Sequence, residues 1–72
     1  MTLKQFRQTR KITQDELAEA LRVSRITIAR IETGRATAKT EMIERFIEVY
    51  QVPIEEAWAI FKPSNSVEVI VQ

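Results

Sequence analysis

Apolar residues recur at helical spacing in five blocks along the chain, and cap and turn residues separate the blocks. Thr2 with Gln5 opens a first helix as a capping box; Leu3 and Phe6 face inward, and the helix runs to about Arg10. Thr13 with Glu16 repeats that signature before a second helix, whose Leu17, Ala18 and Leu21 share one face. Arg22-Val23 forms a turn, and Ser24 caps a third helix that reaches about Thr33. Gly34, the only glycine, then supplies the left-handed residue that ends it. After a polar loop from Arg35 to Lys39, Thr40 is expected to cap a fourth helix to about Gln51. Ile43, Phe46, Ile47 and Tyr50 make its core face, with Met42 and Val49 off that face and partly exposed. Val52-Pro53 breaks the helix, and a fifth, Ile54 to Phe61, is expected to bring Ile54, Trp58 and Phe61 to the core.

The last residues differ in kind. Lys62-Pro63 ends the fifth helix and Ser64-Asn65-Ser66 makes a flexible joint. Val67, Val69 and Val71 then alternate with Glu68, Ile70 and Gln72, a period of two rich in β-branched residues. No second strand is visible, so this stretch is expected to pair with another chain or to fray. The division is a helical domain over 1–62 and a tail over 63–72, with Val67, Val69, Ile70 and Val71 forming the partner strand.

The third helix separates into two faces. At 100° per residue Ser24, Thr27, Ile28, Ile31 and Glu32 fall on one side, with Ile28 and Ile31 central. Arg25, Ile26, Ala29, Arg30 and Thr33 fall on the other. A helix with one buried face and two arginines among short side chains on the other suits insertion into a DNA major groove.

Composition narrows the alternatives. Seventy-two residues make one small domain. Without cysteine or histidine there is no disulfide, no thiolate or imidazole ligand and no imidazole base, so no metal or cofactor is expected. Glu55 and Glu56 diverge by about 100° on a helix and do not form a catalytic carboxylate pair. One glycine cannot build a phosphate-binding loop. An enzyme is therefore not expected, nor is a small-molecule ligand. No apolar run approaches the roughly 20 residues of a membrane span, and the N-terminus lacks the apolar core of a signal peptide. A reducing, cytoplasmic setting is expected.

The net charge of +1 conceals an asymmetry. Residues 1–39 hold nine Lys/Arg against four Asp/Glu, a net +5; residues 40–72 hold two against six, a net −4. Such charge is often only solvated helix surface. Here the basic end coincides with the helix pair, which favours a polyanionic partner.

The segments LKQFR (Leu3 to Arg7), ITQDELAEAL (Ile12 to Leu21), VSRITIARIETGR (Val23 to Arg35) and VPIEEAW (Val52 to Trp58) resemble the Cro/CI/Xre-type helix-turn-helix proteins of phages and bacteria. The resemblance covers about residues 2–61. It implies an all-α, five-helix, lambda-repressor-like helix-turn-helix domain that reads DNA with helices 2 and 3, followed here by the β-strand-like tail. Members often carry glycine where this chain has Lys11, Arg22 and Gln51. At a left-handed position that departure costs on the order of 1 kcal/mol.

Carried over by position, the resemblance implies base contacts from Arg25, Ile26, Ala29 and Arg30. An arginine can pair two donors with guanine O6 and N7, and Ile26 can pack on a thymine methyl. The alternative for each arginine is phosphate contact or plain solvation. Gln14 matches the family glutamine that touches phosphate at the start of helix 2, where free N–H groups attract an anion. Thr13, Thr27, Thr33, Arg35 and Lys39 are further phosphate-contact candidates, with Thr27 alternatively bonding back to its own helix. Asp15 and Glu16 are expected to stabilise the helix start and to point away from DNA. Arg7 and Glu32 match a family ion pair that joins helix 1 to the end of helix 3.

Two functions follow. The first is a sequence-specific transcriptional regulator of phage Cro type, acting on a double-stranded DNA operator as a homodimer joined through the tail, with half-sites about one turn apart. The second is an antirepressor, modulator or antitoxin-like protein that forms a heteromer with a repressor or other protein, using the acidic half and the tail strand.

Overall fold

The computed structural model describes residues 1–61, and every regular element there is a helix. In order these are α1 (Leu3–Thr9), α2 (Gln14–Leu21), α3 (Arg25–Glu32), α4 (Thr40–Tyr50) and α5 (Ile54–Phe61). The strand expected at Val67, Val69, Ile70 and Val71, and the joint before it, lie outside the described residues.

The helix starts follow from local chemistry. Thr2 and Thr13 each accept from the backbone N–H three residues on, while Gln5 and Glu16 reach back to the cap N–H at 2.8 Å. Ser24 accepts from Thr27 N–H at 3.1 Å. At α4 the expectation needs correction: Lys39 is the cap residue, its side chain makes no cap bond, and Thr40 is already inside the helix.

Three helix ends close in the same way. The N–H of Ile12, Val23 and Arg35 return to the carbonyls of Arg7, Ala18 and Arg30, at 2.9, 3.0 and 2.7 Å. Just before each lies a left-handed residue: Lys11, Arg22 and Gly34. Only the last is glycine; Lys11 (φ 57°), Arg22 (φ 61°) and also Gln51 (φ 55°) adopt the conformation with a side chain attached. All three are exposed; the Gln51 amide donates back to the carbonyl of Glu48 at 3.0 Å, and the strain at each position is confined to the backbone.

The core is built from every helix. Leu3 and Phe6 of α1 meet Leu17, Ala18 and Leu21 of α2, Ile28 of α3, and Ile43 and Phe46 of α4. Phe46 is wholly buried and lies edge-on to Phe6 and Phe61, with ring centroids 4.8 and 4.9 Å apart. Arg45 reaches from α4 to donate its Nε–H to the carbonyl of Ala20 at 3.0 Å, satisfying one of the orphan acceptors at the end of α2.

Two burial expectations are overturned. Met42 is buried rather than partly exposed, because the buried stripe of α4 extends over Met42, Ile43 and Phe46, while Val49 stays exposed. On α5, Ile54 and Trp58 are 56% and 42% exposed, and Ala57 and Phe61 are the buried pair. The helix is turned by roughly 50° from the orientation expected of its largest side chains. Ala57, with no exposed surface, is small enough for close approach of the backbone to the core, and large residues at that contact would hold the helix off.

Candidate nucleic-acid interface

The turn at Arg22-Val23 joins α2 to α3, and α3 is held by its inward side. Ile28 has no exposed surface and Ile31 is half-buried, whereas Arg25, Ile26 and Arg30 are exposed. Ile26 is 62% exposed, a large apolar side chain outside the core. Ala29 is half-buried between the arginines, and its short side chain leaves room for close approach.

The orientation of α3 is set by an ion pair under it. Arg7 Nε–H donates to Glu32 Oε2 at 2.7 Å and an Nη2 hydrogen to Oε1 at 3.2 Å, a two-point contact between α1 and the end of α3. The two side chains are 13% and 4% exposed. Arg7 also donates to the carbonyl of Ile12 at 3.1 Å, and Gln14 donates its amide to Glu32 Oε1 at 3.0 Å. One network therefore ties α1, α2 and α3. Burial alone would raise the Glu32 pKa, but the hydrogen bonds from Arg7 and Gln14 and the charges of Arg7 and Lys4 outweigh it and hold the carboxyl below its ordinary value. The same hydrogen bond raises the Arg7 pKa, against desolvation and with help from the Glu32 charge.

Two clefts flank α3. One, of about 690 Å³, lies between α1, the start of α2 and α3; Thr13, Gln14, Arg25, Ala29 and Thr33 all line it. The other, of about 610 Å³, lies towards α4 and holds Thr27 and Lys39 beside Arg22. Glu41, Glu44 and Glu48 also line the second cleft, and an anion there meets like charge. Ile26, Arg30 and Arg35 line neither; all three are exposed.

Hydrogen-bonding capacity differs among the polar candidates. The capping box at α2 occupies the N–H of Thr13 and Glu16 and leaves those of Gln14 and Asp15 without internal partners among the described residues. Gln14 spends one amide hydrogen on Glu32 and keeps a second. The Thr33 hydroxyl points back into α3, 3.0 Å from the carbonyl of Ala29, and its single hydrogen is used there. The Thr27 hydroxyl is paired with that of Ser24 at 3.0 Å rather than with its own helix carbonyls.

The first cleft also contains residues that the sequence reading missed or misplaced. Lys4, Gln8 and Lys11 line it; the four-residue spacing of Lys4 and Gln8 on α1 is the signal that would have found those two, while Lys11 follows the helix in its left-handed turn. Asp15, expected to point away, lines the same cleft and lies 3.5 Å from Arg25 Nε. It sits in the first turn of α2, Arg25 is the first residue of α3, and the packing of the two helices puts their side chains within reach.

Among the described residues no helix is long and apolar enough to cross a membrane, and no group of three or more acidic side chains is arranged to hold a metal ion. No curated protein and no solved structure matches the chain. A family model described as a helix-turn-helix domain matches residues 1–59, nearly all of the described region and all but the last two residues of α5. The chain belongs to the helix-turn-helix domain family, and DNA binding is the function that this membership supports.

Proposed function

We propose that the protein is a sequence-specific DNA-binding transcriptional regulator of the Cro/CI/Xre type, with α3 in the major groove. The observation that carries this reading is the division of α3, with Ile28 fully enclosed and Arg25, Ile26 and Arg30 exposed on the opposite side. Arg25 and Arg30 present planar donor pairs to guanine, Ile26 offers apolar contact to a thymine methyl, and Ala29 permits close approach. Gln14 and Thr13, with the free N–H groups at the start of α2, hold one phosphate strand. Thr27, Arg35 and Lys39 serve the flanking backbone, and Thr33 joins them only if its hydroxyl leaves the helix carbonyl. Arg7 and Glu32 orient the reading helix without touching DNA.

One module of this size makes few contacts, so the working form is a homodimer on a two-fold operator, joined through the tail strand. Titration of the purified protein alone against duplexes enriched from a random pool tests the reading. The expected result is a preferred sequence bound more tightly than bulk DNA, with log K falling linearly against log salt. Equal, weak affinity for every duplex would overturn it.

A second reading is favoured by one observation. Val49, Ile54 and Trp58 are large exposed apolar residues on α4 and α5, in the acidic half of the chain. A surface of this kind suits a protein partner and supports an antirepressor, modulator or antitoxin-like role as the alternative. DNA binding that stays weak until a repressor partner is added is its expected signature.

A further inference from the structure

The two arginines on the outer face of α3 are not in equivalent surroundings. Arg25 has the Asp15 carboxylate 3.5 Å from its Nε, whereas Arg30 has no ion-pair partner among the described residues. An acid beside a DNA-reading surface is costly, since it repels the phosphates that supply most sequence-independent affinity. The position nevertheless lies in the cleft that Arg25 and Ala29 line, on the first turn of the preceding helix.

We infer that Asp15 is a specificity-determining residue, which positions the Arg25 guanidinium for one base and suppresses binding to other sequences. The inference rests on the reading of α3 as the recognition helix and goes further by giving the two arginines different tasks. A carboxylate at the Nε edge restricts a long, flexible side chain and engages neither Nη group. Those two groups match guanine O6 and N7 as a fork. In the free protein the pair is exposed and screened, with side chains 63% and 80% accessible. Water excluded by a bound duplex removes that screening, and any base that fails to engage the guanidinium strands the carboxylate against phosphate. Arg30, unrestrained, adapts to neighbouring acceptors and discriminates less.

The test is selection from a random duplex pool with wild type, R25A, D15A, D15N and D15E, after circular dichroism confirms that each is folded. R25A is expected to flatten the base preference at one position of the site. D15A and D15N are expected to weaken preference at that same position by roughly fivefold, leave the other positions unchanged, and tighten binding to unrelated duplex about twofold. D15E is expected to restore part of the preference through its retained charge. D15A and D15N profiles identical to wild type, or a loss spread evenly over the site, overturn the inference and leave the recognition helix standing. If R25A alters no position, the reading of Arg25 as a base contact falls, and the role of Asp15 falls with it.

Discussion

Two arginine–carboxylate pairs bracket α3, and they differ in almost every respect except their chemistry. Arg7 and Glu32 lie beneath the end of α3, 2.7 Å apart with side chains 13% and 4% exposed. Arg25 and Asp15 lie at its start, 3.5 Å apart and mostly in water. In the first pair, both charges have been taken from solvent and each is hydrogen-bonded several times, so removing one strands the other. In the second, solvent replaces a lost partner at once, and the pair contributes little to stability. The buried pair fixes where the helix is; on the proposed reading, the exposed pair bears on what it reads.

The largest expected effect comes from breaking the buried pair. Glu32→Ala should destabilise the domain by about 3 kcal/mol, seen as a thermal midpoint lower by on the order of 15 °C. Arg30→Ala should leave the midpoint near wild type, because Arg30 is exposed and unpaired among the described residues. Replacing Arg7 and Glu32 together by leucine should cost less than either single change to alanine, since neither charge is then left alone. Equal midpoints for Glu32→Ala and Arg30→Ala would contradict this account of the pair.

Acid provides the next contrast. The Glu32 pKa is lowered in the folded protein, so its contribution is complete above the unfolded value, near 4.5, and is lost as pH falls through the lower folded value. Melts at descending pH should show wild type losing stability below about pH 4.5 more steeply than Glu32→Gln. Parallel curves would mean that the carboxylate gains nothing from its partners.

A smaller effect, of opposite sign, is expected at the turn between α2 and α3. Arg22 holds φ 61° with an exposed side chain, and Arg22→Gly should stabilise by about 0.5–1 kcal/mol. Denaturant titration would detect it as a higher midpoint at unchanged slope. The smallest effect belongs to the exposed pair: Asp15→Ala should shift the thermal midpoint very little, and a loss comparable to that of Glu32→Ala would erase the distinction between the two sites.

Most of the helical framework was legible in the chain because its signals are local. The capping residues Thr2, Thr13 and Ser24, the terminating Gly34 and the inward spacing of Leu17, Ala18 and Leu21 act within a turn or two. The orientation of α5 was not legible, because it depends on what α4 presents to it. Size points to Trp58 as core, but packing against Phe46 favours Ala57 and Phe61 and leaves Trp58 exposed. The failed cap at Thr40 has a similar origin: a one-residue shift puts Lys39 at the cap, and the side chain that would have bonded lies inside the helix. At the interface, periodicity alone separates Ile28 from Arg25 and Arg30. Proximity of Asp15 to Arg25 requires the α2–α3 crossing, and the second hydrogen-bonding partner of Glu32, Gln14, requires it too.

On the proposed reading the outer face of α3 meets DNA while α5 stays clear of it. Nuclear magnetic resonance of the isotope-labelled protein, titrated with a duplex enriched by the wild type, tests this most directly. The expected result is movement of the Arg25 and Arg30 Nε–H signals and of the amides of residues 13–15 and 24–33, with Ile54 to Phe61 unmoved. Shifts centred on Ile54 and Trp58, with those arginine signals unchanged, would contradict it.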